Sequence, residues 1–217
     1  MQNIFINKHS LEKWRDYMKI LGVCGSPREG NSLFLLKKAL ETCKELGVET
    51  ELVHVGLLKV APCKACGACK DTGICVQKDD MTPLYDKIRG ADGIILASPV
   101  YLGGVSAQMK AFMDRTRALR GKFELRNKVG AGISVGGFRN GGQETTLQQI
   151  FNFFLIHNSI VVADEATSHY GGVGFGYNIG DSDKDEYGIK TSENTAKNMI
   201  KVLKLIKGGA KEEIKSW

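Results

Sequence analysis

The sequence predicts an α/β protein, a doubly wound parallel sheet of five strands with helices on both faces. Two patterns predict it. Short apolar runs, too continuous to keep one face in water, alternate with longer stretches of helical periodicity, and that alternation is how βα units build a parallel sheet. The three least ordinary loops follow the first, third and fourth of these strands, at their carboxyl ends, where open α/β sheets hold ligands.

The first strand is Lys19–Cys24 (KILGVC), short and apolar as a buried parallel strand should be. It runs into GSPREGNS, Gly25 to Ser32, and then a helix that sets Leu33, Leu36, Leu40 and Cys43 near one face and closes at Gly47. Strand, polar turn, helix is the arrangement in which backbone N–H groups at a helix N-terminus face a phosphate. Ser26, Asn31 and Ser32 add hydroxyl or amide donors, and Arg28 adds a cation. The turn is neither a P-loop, which needs G-K-[ST], nor the G-x-G-x-x-G fingerprint. Gly, Ser and Asn also occur in such turns for capping alone.

Val48–Val55 alternates like a second strand, with His54 read as a packing residue. After a cysteine-rich loop, Asp79 and Asp80 precede a helix to about Arg89, with Thr82 and Pro83 as start signals. Asp92–Ala97 (DGIILA) is the third strand. Its carboxyl end carries SPVYLGGVSAQMKAFMDR, Ser98 to Arg115. Here Pro99, Val100, Tyr101 and Leu102 make an apolar and aromatic turn, Gly103 and Gly104 allow close backbone approach, and a helix begins near Val105. Lys128–Val135 is the fourth strand, opening into GGFRNGGQE at Gly136 to Glu144 and a helix with Leu147, Ile150, Phe151, Phe154 and Leu155. Ser159–Ala163 is the fifth strand. Asp164–Gly188 reads as a long connection, and loops of that length are usually functional or mobile. A final helix from about Ser192 to Lys207 stops at Gly208 and Gly209.

At 217 residues the chain fits one domain, residues 18–217, large enough to bury roughly 70–75% of its unfolded surface. Residues 1–17 precede it; Leu11, Trp14 and Met18 have helical spacing, and this arm is read as an extension without a chemical role. The net charge of +6 comes from lysines spread along the chain, with no dense basic run interleaved with aromatics, which argues against nucleic-acid binding. No apolar run approaches the roughly 20 residues of a membrane span and no signal-peptide pattern opens the chain, so the expectation is a cytoplasmic protein without a membrane partner.

The most informative stretch is CKACGACKDTGIC, in which Cys63, Cys66, Cys69 and Cys75 are spaced C-x2-C-x2-C-x5-C. Thiolates are soft ligands, and four together point to zinc or an iron–sulfur cluster. A structural zinc site usually joins two separated C-x-x-C knuckles. Three cysteines at every third residue, with a fourth close behind, suit a loop wrapping the larger [4Fe-4S] cubane. Zinc and free redox thiols stay as alternatives; a disulfide pair would need an oxidising compartment that nothing here signals.

From Met18 to about Lys207 the chain resembles the iron–sulfur flavoproteins, within the flavodoxin-like NAD(P)H-dependent FMN reductase group. GSPREGNS looks like that family's FMN phosphate loop, SPVYLGGVSAQMKAFMDR like its isoalloxazine loop, and VGGFRNGGQE like its third flavin-edge loop. The compact cysteine motif is the mark of the iron–sulfur branch. The resemblance implies a flavodoxin-like fold, one FMN and one [4Fe-4S] cluster per chain, and a homodimer or homotetramer. Residue by residue, it implies that Ser26, Arg28, Asn31 and Ser32 hold the FMN phosphate. Pro99, Val100, Tyr101, Leu102 and Gly103 would lie against the flavin ring, and Ser134, Gly136 and Gly137 would approach its far edge. Cys63, Cys66, Cys69 and Cys75 would ligate iron.

The expected activity is electron transfer from a low-potential donor such as ferredoxin, through the cluster to FMN, and on to oxygen, peroxide or a quinone-like acceptor. Cofactors carry such chemistry, so no catalytic acid–base side chain is expected. The alternatives are an NAD(P)H-dependent FMN or quinone reductase with a structural metal in the cysteine loop, and a redox-sensing binding module. Two motifs read as decoys. Gly132-Ile-Ser134-Val-Gly136 matches the nucleophile elbow G-x-S-x-G, with Asp164 and His169 following, but no helix starts directly after the serine. Asp181, Asp183 and Asp185 mimic an EF-hand opening, but Glu186 and Ser192 occupy the positions that need Gly and Glu, and they read as a solvated charge run.

Overall fold

A computed structural model describes residues 17–208; the arm at residues 1–16 and the C-terminal residues 209–217 lie outside the described residues. Five strands take the positions the apolar runs predict: β1 Lys19–Cys24, β2 Glu49–Val53, β3 Gly93–Pro99, β4 Val129–Gly136 and the short β5 Ile160–Val161. They lie in the order β2-β1-β3-β4-β5, every pair parallel. A sixth strand, β6 Gly172–Phe175, corrects the expectation of five. It pairs with Ile133–Gly136 of β4, while β5 pairs only with Val129 and Gly130. One edge position is therefore shared by two short strands. The segment Gly-Val-Gly-Phe escapes sequence reading because glycine has low strand propensity; here the neighbouring strand supplies the ladder.

The helices are α1 Asn31–Glu45, α2 Cys69–Thr72, α3 Leu84–Gly90, α4 Ala107–Arg115, α5 Arg117–Arg120, α6 Gln143–Ile156 and α7 Glu186–Gly208. The period-two alternation of each strand sorts its side chains into two cores. Ile20, Cys24, Ile95, Ala97, Ala131 and Ile133 pack under α1 and α7. Leu21, Val23, Ile94 and Leu96 pack on the other face, beneath α3, α4 and α6. The predicted stripe Leu33, Leu36, Leu40 and Cys43 of α1 is buried throughout. On α6 the prediction is corrected at one position: Phe153 is buried, whereas Leu155 is exposed.

α7 begins six residues before its expected start, because Ile189 N–H already donates to the Asp185 carbonyl. Its first turns bury Thr191, Ser192 and Thr195, whose hydroxyls donate to the carbonyls of Gly188, Gly188 and Thr191. Polar residues satisfied by their own helix backbone hide the apolar period that marks a buried face.

On the α6 face β4 presents glycines rather than side chains. A Cβ on Gly130 would stand 2.4 Å from Phe154 Cγ, so the ring lies directly on the strand backbone. Gly130→Ala is expected to lower stability by about 1–3 kcal/mol through overpacking, read as a fall in the denaturant midpoint at unchanged slope.

Candidate functional site

Strand order reverses between β1 and β3, so the connections leaving their carboxyl ends diverge to opposite faces and open a crevice. Gly25 N–H donates to the Ala97 carbonyl (2.8 Å), carrying the β1–β3 ladder one step into the turn. Ser106 ties both loops together. Its hydroxyl donates to the Gly25 carbonyl (2.6 Å) and accepts from Met109 N–H (3.2 Å), capping α4. His54 holds the same turn from β2, its Nε2 lying 2.7 Å from the Ser26 carbonyl, so that nitrogen carries the proton. Sequence reading, which started this helix near Val105, passed over Ser106; its local signal is that serine is a favoured N-cap residue.

A cavity of about 730 Å³ sits at this point, lined by Arg28, Pro99, Val100, Tyr101, Val135 and Gly137 together with Gly176–Ile179. Arg28 lines it from the turn before α1, whose cap residue Gly30 offers no side-chain hydrogen bond to the first-turn N–H groups. Part of the lining is both apolar and exposed: Tyr101, Tyr177 and Ile179. Tyr101 and Gly104 exchange two backbone hydrogen bonds around Leu102 (φ 51°) and Gly103 (φ 77°), a two-residue turn with both central residues left-handed. Gly103 accepts that geometry freely, whereas Leu102 is strained and held fully in solvent at the rim.

Of the predicted cofactor residues, Arg28, Pro99, Val100, Tyr101 and Gly137 line the cavity, and Leu102 and Gly103 form its rim turn. Others serve the frame. Ser26 Oγ donates to the Arg28 carbonyl (2.8 Å) within its own turn. Asn31 Nδ2 donates to the Asn178 carbonyl (2.8 Å), and its Oδ1 accepts from Gly180 and Ser182 N–H, locking α1 to residues 178–182. Ser32 is buried in the first turn of α1. Ser134 is fully buried inside β4 with an unpartnered hydroxyl, and buried Gly136 accepts from Gly176 N–H (3.0 Å). The segment 176–179, read from sequence only as part of a long loop, is a wall of the site.

The cysteine loop leaves the same end of the sheet after β2. It turns sharply at Ala65 (φ 52°) and Gly67 (φ 77°), and Cys69 opens α2 as a buried residue. Arg115, at the end of α4, is 1% exposed and reaches across to this loop. Its Nη1 donates to Asp79 Oδ2 (2.6 Å) and the Ala61 carbonyl (2.9 Å); Nη2 donates to Asp79 Oδ1 (3.0 Å) and approaches the Gln77 carbonyl. Burial pushes the Cys75 thiol up, but the Gln77 amide, the Tyr85 hydroxyl and the Arg115 guanidinium outweigh it and hold it below its ordinary value. The two cysteines outside the motif behave oppositely: burial lifts Cys24 to about 11 and Cys43 to about 12. They are inert core residues. Among the described residues, no three His, Cys, Asp or Glu side chains gather closely enough to hold one metal ion.

The decoys resolve into framework. Ser134 lies within a strand rather than on a sharp turn, and the Asp164 carboxylate accepts from Ala166 and Thr167 N–H to close its own loop. Asp181 accepts from Tyr177 and Asn178 N–H. Asp185 corrects the reading of a solvated charge run: it is buried, accepts from Phe175 N–H (2.7 Å) and pairs with Arg139. Among the described residues no helix is long and apolar enough to cross a membrane.

A second cavity of about 590 Å³ separates the cysteine loop from α4 and α6, with Cys63, Lys110, Arg117, Arg120, Phe153 and His157 in its lining. His157 is buried. Thr116 Oγ1 donates to the Met113 carbonyl (2.6 Å), so at 3.0 Å it accepts from His157 Nε2, and Nδ1 is left a buried acceptor without a donor. Burial, aided by Arg120, lowers its pKa to about 4.

Residues 18–172 match the NADPH-dependent FMN reductase family. The chain is 52% identical over 192 residues to an iron-sulfur flavoprotein of Methanocaldococcus jannaschii, covering 88% of this chain and 100% of the relative. It is 51% identical over 191 residues to an iron-sulfur flavoprotein of Methanosarcina thermophila, covering 87% and 97%. A flavodoxin, WrbA-like protein from Agrobacterium tumefaciens has the same fold, with a TM-score of 0.59 at 16% identity over 85% of this chain and 98% of that one.

His157 generates a pH prediction. Its folded pKa lies below the roughly 6.5 of an unfolded histidine, so the unfolded chain takes up the proton first as pH falls. Its stability contribution is complete above about pH 6.5 and is lost progressively toward pH 4, by up to about 3 kcal/mol. Denaturant titrations of wild type and H157Q from pH 7 to 4 are expected to converge as pH falls.

Proposed function

From the premise that the chain belongs to the NADPH-dependent FMN reductase family and, within it, to the iron–sulfur flavoproteins, we propose an electron-transfer oxidoreductase with one FMN in the β1/β3 crevice and one [4Fe-4S] cluster on Cys63, Cys66, Cys69 and Cys75. The donor is a low-potential one-electron carrier of the ferredoxin type; the acceptor is small, such as oxygen, peroxide or a quinone-like compound. One observation carries this reading: the crevice and the four-cysteine loop leave the same end of one sheet, after adjacent strands.

The residues present fit the flavin. The uncapped start of α1 and the Arg28 cation suit a phosphate. Pro99, Val100 and Tyr101 on one side, with Tyr177 and Ile179 on the other, suit a flat apolar ring and keep water from it. For the cluster the support is the donor set: four soft thiols within thirteen residues, the ligand type and number that one [4Fe-4S] cluster takes. When bound, the cluster supplies single-electron transfer and FMN supplies one- and two-electron chemistry, so the pair joins a one-electron donor to a two-electron acceptor. The protein's part is to bind, orient and shield, and no side chain is assigned a proton transfer. Exposed Leu155 and Ile156 on α6 suit burial in a homodimer or homotetramer.

A second reading, direct reduction by NAD(P)H, is favoured by the match to the NADPH-dependent reductase family. Stopped-flow reduction by ferredoxin against NAD(P)H separates the two. Anaerobically purified protein is expected to carry about four irons, matching sulfide and one flavin per chain; zinc without sulfide would overturn the assignment. Arg28→Ala is expected to weaken FMN binding about tenfold to a hundredfold, from the loss of a charged hydrogen-bond donor, measured by flavin fluorescence quenching.

A further inference from the structure

The buried guanidinium of Arg115 belongs to α4 by sequence but to the cysteine loop by contact. A buried cation is stable only when its donors are matched. The two terminal nitrogens of Arg115 meet that need from the two stems of the loop: Ala61 on the entering stem, Gln77 and Asp79 on the leaving one. Asp79 closes the same junction from below, its Oδ2 accepting from Ala61 N–H (3.0 Å) and its Oδ1 from Met81 N–H (3.1 Å). Tyr85, on α3, donates to the Arg115 carbonyl (3.0 Å) and so fixes the end of α4. Arg115 Nε is buried without a hydrogen-bond partner. The planar fork of arginine suits this task as the point charge of lysine does not, because the fork serves a carboxylate and two carbonyls at fixed angles.

We infer that Arg115 is a positioning residue for the metal site: it clamps residues 61–79 into a closed loop that carries the four cysteines. The inference rests on the reading that the four cysteines hold an iron–sulfur cluster. Its test compares wild type, R115K and R115M, purified anaerobically. The readouts are flavin, iron and acid-labile sulfide per chain, hydrogen exchange over residues 61–79, and the midpoint potential of the cluster. Flavin is expected to be unchanged in both variants, because Arg115 lines no part of the crevice. In R115M, iron and sulfide fall below about a quarter of wild type, and exchange across the loop accelerates about tenfold. R115K keeps the charge without the fork; it retains part of the iron, with the cluster potential shifted from wild type by the wider solvent access of a loosened loop. A fold loosened in general would lose flavin and iron together and leave the potential in place, and that pattern overturns the inference.

Full iron in R115M with wild-type exchange also overturns it. Should R115M give no folded protein, R115K decides alone: wild-type iron and potential there refute the clamp. Wild type without sulfide defeats the cluster reading itself, and loop exchange in the variants then still decides whether the clamp exists.

Discussion

The parallel pairing of β1 with β3 is the constraint on which the rest depends. Both strands are buried on both faces, so neither can slide by one residue without exchanging the contents of the two cores. With the register fixed, Gly25 follows Cys24 directly opposite the end of β3, and the turns leaving each strand start at the same height. The crevice follows from connectivity, since α1 and α4 must cover opposite faces and their incoming loops must part.

Around that crevice the protein uses side chains for fastening and backbone for presentation. Ser106, His54 and Asn31 bind one loop to another through a hydroxyl, an imidazole and a carboxamide. What lines the cavity is the Arg28 turn before a helix, the apolar Pro99–Tyr101 segment and the Gly176–Ile179 segment. Strain at Leu102, directly after Tyr101, and exposed apolar area at Tyr177 are both unfavourable for a chain alone.

The cysteine loop follows the same economy of design. Its own residues make few contacts with the core beyond Cys69 and Cys75, and its closure is delegated to one arginine and one aspartate at its base. Concentrating the fixed charge at the stem leaves the tip exposed, with Lys64, Cys66 and Lys70 facing solvent. The loop is shaped from below rather than from within.

The fold class, the boundaries of β1 to β4, the buried face of α1 and the cysteine spacing were legible in the sequence, because each depends on local period or on residue type alone. The resemblance in the three loops pointed to a flavin site for the same reason: short motifs carry their chemistry with them. What the sequence could not show was where pairing comes from elsewhere in the chain. β6 is a strand because β4 offers it a ladder, and the buried start of α7 is helical because Asp185 anchors it and its hydroxyls satisfy their own backbone. Asn31 turned out to be a fastener, and Tyr177 to Ile179 a wall. Arg115 appears in the sequence reading only as the last residue of the stretch from Ser98, and in the fold it is the base of a loop that precedes it by some forty residues. Such roles rest on contacts between distant segments, and only the packing of both faces of the sheet brings those segments together.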